Sequence, residues 1–381
     1  MWLAGLWDLA AQPPTVPSSE LDRAVVLALQ TSGAPSVSVA IVQGGHTVYS
    51  KAFGKANIRS NVTATPETRY AIGSISKQFT AVALLLEQEK GKLSLKDKVA
   101  KYFPDLTQAK NVTLRELLSH TSGYEDYAPQ DYLIPEWTKP TSAAEILQRW
   151  ARKPLNFAPG TQWQYSNTNF VLAAQIFEKV SGERLVPFLH KAIFAPLGMN
   201  SAGECTARVP ADAQAYTRYA LGPPRPVDRE AAGWYLGAAE LCMTAPDLAK
   251  WNTAVIGKRI LSAKSYHEFT QDVKLADGKP THYGLGVQVG DFHGTPQIMH
   301  SGEVSGFLAM NRVYPAKGIA VTAADWVAAK DQYLPSTADG AFIESLMQPV
   351  REPGKFASWI APPKVGIDNK PGDFEYVQIA A

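Results

Sequence analysis

Strand-like alternation near both ends of the 381-residue chain, with helical periodicity between, constrains the fold more than any other feature. Val37, Val39 and Ile41 alternate with Ser36, Ser38 and Ala40; Gly44-Gly45 can supply the positive φ of a tight turn, and residues 47–53 read as the returning strand of a hairpin. Strand signals reappear only at residues 283–289, 298–301, 307–314 and 318–322. The stretch between them reads mainly as helix. Phe79, Val82, Leu85 and Leu86 precede Gly91, Thr113 leads Leu117 and Leu118, Ser142-x-x-Glu145 forms a capping box, and a helix over about 168–180 stops at Gly182. A first helix is expected over 21–30 and a last one around 340–347.

The simplest packing joins both ends of the chain in one antiparallel sheet flanked by the first and last helices, with a mostly helical domain inserted in the middle, an α+β arrangement. The expected boundaries are an N-terminal arm at 1–20, a sheet domain from 21–65 and 282–347, an inserted helical domain at 66–281, and an extension at 348–381. Pro349, Pro353, Pro362, Pro363 and Pro371 suit that extension to following the surface. With 45% apolar and 19% charged residues, the chain can bury a sizeable core, and a disordered or coiled-coil reading loses its basis.

Charge and cysteine content narrow the function. Lys and Arg number 37 against 35 Asp and Glu, and a net charge of +2 offers no footprint for nucleic acid. Two cysteines, Cys205 and Cys242, exclude a disulfide-dense scaffold and a four-cysteine zinc site. Residues 1–11 are apolar but too short to span a bilayer and are interrupted by Asp8; no other segment has the length of a spanning helix. This start reads either as the remnant of an export signal, although it has no basic n-region, or as a plain arm. The first reading implies a periplasmic or secreted protein and the second allows a cytoplasmic one.

Three short motifs carry chemistry. Ser74-Ile75-Ser76-Lys77 opens an apolar helix, and a hydroxyl and an ammonium at i and i+3 share one face. A serine hydroxyl is a weak nucleophile until a neighbour takes its proton, which Lys77 can do; a helix N-terminus also favours developing negative charge. Tyr165-Ser166-Asn167 precedes the next helix, offering a phenol for proton exchange and an amide whose NH₂ can bind a substrate carbonyl. His300-Ser301-Gly302 lies on an expected strand, where Gly302 permits close approach of a substrate backbone, a strand edge can supply an oxyanion N–H, and His300 can hydrogen-bond or charge-pair with a carboxylate. Each motif alone has an ordinary structural explanation. Their single occurrence, in this order and on helix, loop and strand, is a rarer joint event.

The constellation resembles the penicillin-recognising serine hydrolases, in the branch of class C β-lactamases, serine D,D-peptidases, D-aminopeptidases and β-lactamase-like esterases. Residues 70–80, 117–123, 244–248 and 283–286 extend the likeness, which spans about 21–347. The resemblance implies a β-lactamase/transpeptidase-like fold and an acyl-enzyme on Ser74, with no metal or organic cofactor. Lys77 and Tyr165 would manage the proton, the backbone N–H groups of Ser74 and Glu303 would hold the oxyanion, and Asn167, His300, Ser301 and Gly302 would bind the substrate. The class A pattern of a Ser-Asp-Asn element and a glutamate loop is not apparent. Histidine at 300, where many β-lactamases carry lysine, points towards peptidase, amidase and esterase relatives.

The substrate class so implied is a small ester or a D-configured amide or peptide, with weak β-lactam turnover. The alternatives are a penicillin- or muropeptide-binding protein that acylates with little turnover, an acyltransferase, and a true class C-like β-lactamase. Similar sequences also pair cysteines near these positions, so the resemblance implies a Cys205–Cys242 bridge, with two free core cysteines as the alternative. His120 reads as a structural histidine near the cleft, and Tyr124, Tyr127, Tyr132 and Trp137 as a loop that either lines the entrance or packs. Glu240 and Asp247 do not read as a catalytic acid pair; Asp247 suits the first turn of a helix.

Overall fold

The computed structural model describes residues 18–129, 133–205, 210–217, 223–292 and 294–325. The expected helix at 340–347, the extension at 348–381, residues 1–17 and Tyr132 lie outside the described residues. Residues 32–333 belong to one compact unit; residues 1–31 and 334–381 form another, whose described part is residues 18–31 of helix α1 (Ser18–Ser32).

In chain order the larger unit runs through β1 (Ser36–Gln43), β2 (His46–Asn57), β3 (Val62–Thr63), β4 (Tyr70–Ala71), a 3₁₀ turn at Gly73–Ile75, and α2 (Ser76–Glu89). There follow α3 (Leu114–Leu118), α4 (Ala143–Trp150), α5 (Asn167–Ser181) and α6 (Leu185–Leu189). Short strands β5 (Gly203–Glu204), β6 (Tyr216–Thr217), β7 (Arg225–Pro226) and β8 (Leu241–Met243) lead to α7 (Ala245–Ile256) and α8 (Ala263–Thr270). The chain then returns to the sheet with β9 (Gln288–Phe292), β10 (Thr295–Val304), β11 (Phe307–Tyr314) and β12 (Ile319–Asp325).

The seven-stranded sheet has the order β3-β2-β1-β12-β11-β10-β9, and every neighbouring pair is antiparallel. The two ends of the unit meet where β1 pairs with β12, with Val39 opposite Ala323 and Ile41 opposite Val321. Alternation along β1 suggests one buried face, but every residue from Ser36 to Val42 is buried. A strand covered on both faces has no solvent side for its small polar residues. One covering element is α7, pinned by reciprocal amide hydrogen bonds between Asn252 and Asn311 of 2.6 and 2.9 Å.

Two strand boundaries differ from the sequence pattern. Residues 283–287 are not strand: Gly286 takes φ +70°, and its N–H donates to the Leu118 carbonyl, so β9 begins only at Gln288. β10 is longer than 298–301 and runs past its last β9 pair, Met299 with Gln288, to Val304.

Helix α2 is the centre of the helical part. Its sequence SKQFTAVALLLEQE is rich in helix formers, with no glycine or proline before Gly91. It is buried nearly all round, as the central helix of a packed layer must be. Thr113 and Ser142 close capping boxes on α3 and α4, where loss of such a cap costs about 1 kcal/mol. Left-handed Gly182, at φ +75°, ends α5.

Candidate active site

Ser74 lies in the 3₁₀ turn, two residues before the start of the α-helix it was expected to open, and is partly exposed. Lys77, in the first turn of α2, is fully buried. Its Nζ lies 3.0 Å from Ser74 Oγ, 2.8 Å from Asn167 Oδ1 and 2.9 Å from the Ala238 carbonyl oxygen. These are three partners for the three hydrogens of an ammonium. Burial pulls the Lys77 pKa down to about 7, against the opposing charge of Asp126. Near neutral pH a large share of Lys77 is therefore uncharged amine. Two of its partners, Asn167 Oδ1 and the Ala238 carbonyl, can only accept. They hold both amine hydrogens, and the lone pair is left facing Ser74.

The acceptor at Ala238 is backbone, which no motif search finds. Its loop is tied to α2: Thr80 Oγ1 donates to the Gly237 carbonyl at 2.7 Å, and the Leu241 N–H to Ser76 Oγ at 3.2 Å. Cys205, the residue after β5, and Cys242, on β8, are bonded to each other. With a sequence separation of 37, such a closure contributes about 3–4 kcal/mol by chain entropy. Glu240 accepts the Gly237 N–H at 2.8 Å, and burial raises its pKa to about 8.

Tyr165 lies beside Ser74, whose hydroxyl works against the rise of its pKa, and its ring centroid is 4.8 Å from Lys77 Nζ. Burial holds its phenol well above the usual tyrosine range, so at neutral pH it is a proton donor, not a phenolate. Asn167 is the first residue of α5. Its Oδ1 faces Lys77, while its Nδ2 lies 3.3 Å from Asp126 Oδ2. The amide thus faces protein partners on both sides, where the sequence pattern suggested a substrate carbonyl for its NH₂; the second NH₂ hydrogen is what remains for that purpose. Asp126 was not a sequence candidate. Nothing in Gly123-Tyr124-Glu125-Asp126 distinguishes it from an ordinary acidic loop residue.

The loop that carries Asp126 is strapped to the start of α5. Ser122 Oγ donates to Asn169 Oδ1 at 2.6 Å, Thr168 Oγ1 to the Glu125 carbonyl at 2.6 Å, and the Tyr127 N–H to Thr168 Oγ1 at 3.2 Å. His120 accepts the Ser166 N–H on Nδ1 at 3.1 Å and packs its ring 4.3 Å from Tyr165. Burial, with Lys77 and His300 adding, keeps it uncharged. It supports the wall. Tyr124, Tyr127 and Trp137 are buried, so the described aromatics of this segment pack rather than line an entrance.

The strand wall works through backbone. Gly73, at φ +50°, and Gly302 face each other: a Cβ on Gly73 would lie 2.5 Å from the Glu303 nitrogen, and one on Gly302 1.9 Å from the Ile72 carbonyl oxygen. The close approach Gly302 permits is therefore to the chain's own turn, not to a substrate backbone. It sets the backbone nitrogens of Ser74 and Glu303 at this one contact between turn and strand. Ser301 is partly exposed and the Glu303 side chain is exposed.

His300 departs from the charge-pairing role suggested by its position. Its Nδ1 is 2.5 Å from the Ser301 carbonyl, which can only accept, so that nitrogen carries the proton. Its Nε2 then accepts from the Tyr283 hydroxyl at 2.8 Å. Burial, reinforced by Lys77, lowers its pKa to about 3. At neutral pH His300 has no charge and no unengaged ring nitrogen.

The sequence profile of the family described as Beta-lactamase matches residues 21–325, most of the chain. The chain belongs to the beta-lactamase family. Among curated relatives of this beta-lactamase-family chain, a D-aminopeptidase of Brucella ovis is 28% identical over 312 residues, covering 77% of this chain and 57% of that protein. The chain spans about three fifths of the length of the curated relatives it matches. Among solved structures, the octameric penicillin-binding protein homologue from Pyrococcus abyssi superposes with a TM-score of 0.72 at 28% identity, covering 81% of this chain and 73% of that one. The D-amino acid amidase from Ochrobactrum anthropi SV3, complexed with L-phenylalanine amide, gives a TM-score of 0.74 at 24% identity, covering 87% and 98%. That second likeness concerns the fold alone. The fold is of the β-lactamase/transpeptidase type, an antiparallel sheet with helices, as the three motifs implied.

Proposed function

We propose that this protein is a serine hydrolase that forms an acyl-enzyme on Ser74 and cleaves small esters or D-configured amides and peptides. The observation that carries this reading is the Lys77 environment: two acceptor-only oxygens hold the amine hydrogens and turn its lone pair to Ser74 Oγ. Lys77 takes the Ser74 proton as Oγ bonds to the substrate carbonyl carbon, and the N–H groups of Ser74 and Glu303 hold the resulting oxyanion. Tyr165 donates its hydroxyl proton to the leaving group and recovers one from the Lys77 ammonium. Water then adds to the acyl-enzyme and releases the acid, with the same groups acting in reverse.

Neutral His300 bears on the substrate. With both ring nitrogens engaged and no charge, it does not offer a cation to a carboxylate beside the scissile bond. This favours uncharged esters, D-amino-acid amides and D-aminopeptides over D,D-carboxypeptidase or β-lactam substrates, in line with the D-aminopeptidase relative. Among the described residues no helix is long and apolar enough to cross a membrane. We also propose that the protein acts outside the cytoplasm, which the Cys205–Cys242 bond supports because such bonds persist in oxidising compartments. Cell fractionation with thiol labelling tests this: reduced cysteines on protein found in the cytoplasm would refute it.

The function is tested with p-nitrophenyl esters, D-amino-acid anilides and a chromogenic cephalosporin, on wild type and Ser74→Ala together. The expected result is turnover of the first two, abolished in Ser74→Ala, with the cephalosporin slow. Turnover that survives Ser74→Ala would refute the reading, and a persistent Ser74 adduct without turnover would replace it with an acyl-binding role.

A further inference from the structure

We infer that Asp126 is a positioning residue of this reaction: it determines which end of the Asn167 amide faces Lys77, and so aims the Lys77 lone pair at Ser74. The inference rests on the proposed roles of Ser74 and Lys77.

Asp126 Oδ1 accepts the backbone N–H of Asn167 at 2.8 Å and of Ala128 at 3.1 Å. Ser166, the residue in the N-cap position of α5, makes no side-chain capping bond, so the carboxylate caps the helix from another loop. Its negative charge there is also favoured by the helix dipole. The second oxygen, Oδ2, is 3.3 Å from Asn167 Nδ2. A carboxylate only accepts, so the Asn167 NH₂ is held on the Asp126 side and its Oδ1 on the Lys77 side. With the amide turned over, the NH₂ would face Lys77. It would donate to the amine lone pair and divert it from Ser74, or oppose the ammonium, while its oxygen met the Asp126 carboxylate. Through this contact Asp126 reaches the Ser74 proton without touching Ser74.

Charge acts in the same direction. The groups facing Lys77 are Ser74 from the 3₁₀ turn, Tyr165 and Asn167 at the start of α5, the Ala238 carbonyl, Asp126, and the neutral histidines His120 and His300. Facing Asp126 are Lys77, Asn167, Tyr127 and Tyr165. Among these, Asp126 is the anion that offsets the burial of Lys77.

The test uses the full chain, a chromogenic ester turned over by wild type, and the variants Asp126→Asn, Asp126→Ser and Asp126→Glu. Asp126→Asn removes the charge at nearly constant shape. Asp126→Ser keeps a hydroxyl of N-capping type in case the first does not fold. In either neutral variant kcat is expected to fall about 10- to 100-fold, with KM changed less than about 3-fold. The rising limb of the pH profile should move to lower pH by about one unit, because loss of a nearby anion leaves burial to lower the Lys77 pKa further. Asp126→Glu should return the limb to its wild-type position and restore part of kcat. Active-site titration with a fluorophosphonate corrects each rate for competent enzyme. Neutral variants whose corrected kcat and pH profile superpose on wild type, or that lose only competent enzyme, would overturn the inference. A wild type without Ser74-dependent turnover would instead overturn the proposed function.

Discussion

On the strand side of Ser74, β10 contributes backbone: Gly302 lets it close on the turn at Gly73, and His300 is locked neutral between Tyr283 and the Ser301 carbonyl. On the helical side the contribution is side chains: the phenol of Tyr165, the amide of Asn167 and the carboxylate of Asp126 surround the amine of Lys77. A sheet delivers N–H groups at fixed spacing and tolerates side-chain change where they point away. The helical wall depends on each proton and each amide orientation. The two sides should therefore respond differently to mutation.

Tyr165→Phe removes the hydroxyl and keeps the ring that packs on His120 and Lys77. It should lower kcat by about 10²–10⁴-fold with the fold intact, as for loss of a proton-transfer group; circular dichroism with steady-state kinetics checks this, and a loss below 10-fold would remove Tyr165 from proton transfer. Gly302→Ala sets a methyl against the Ile72 carbonyl and forces the turn and strand apart. A kcat loss of about 10²–10³-fold is expected from displaced oxyanion donors, and near-wild-type kcat would mean that the strand wall yields more than its contacts suggest.

A smaller effect separates the walls by titration. kcat/KM should rise through a limb near pH 7, because the reactive Lys77 is the deprotonated form and its pKa is about 7. His300→Gln should leave that limb in place and cost less than about 10-fold, since a group with a pKa of about 3 does not change charge there. A limb that vanishes in His300→Gln would assign the titration to the strand instead.

The smallest expected effect concerns the loop that holds the Ala238 carbonyl. Glu240→Gln keeps an oxygen for the Gly237 N–H but cannot ionise. The Glu240 pKa is raised to about 8 in the fold, so in wild type its stabilising effect is complete below the unfolded carboxylate range and is lost as pH rises through 8. The variant lacks this loss, so its Tm advantage over wild type should grow between about pH 5 and 8. A Tm difference independent of pH would show that Glu240 is ionised in the fold.

What could be read in advance differs between the walls for a physical reason. Ser74 and Lys77 are close in sequence on a helical period, and Tyr165 and Asn167 flank one residue at a helix start. Such local spacing is legible. Asp126 lies 41 residues before Asn167, and Ala238 acts through a carbonyl that every residue has. Neither carries a sequence signal. Gly302 was legible as a site of close approach, but what approaches it is a turn some 230 residues earlier, and that is a property of packing. In the sheet, the small residues of β1 read as alternating because sequence shows polarity, not whether a second layer covers the other face.

The sequence by itself determined the available chemistry and its order: one serine with a lysine three residues on, one Tyr-x-Asn, one His-Ser-Gly strand, and strands at both ends that had to meet. Only the tertiary structure decided how those groups are charged and oriented. Lys77 is brought down towards neutrality, His300 is kept uncharged and Asn167 is turned by Asp126, because desolvation and hydrogen-bond partners come from segments distant in the chain.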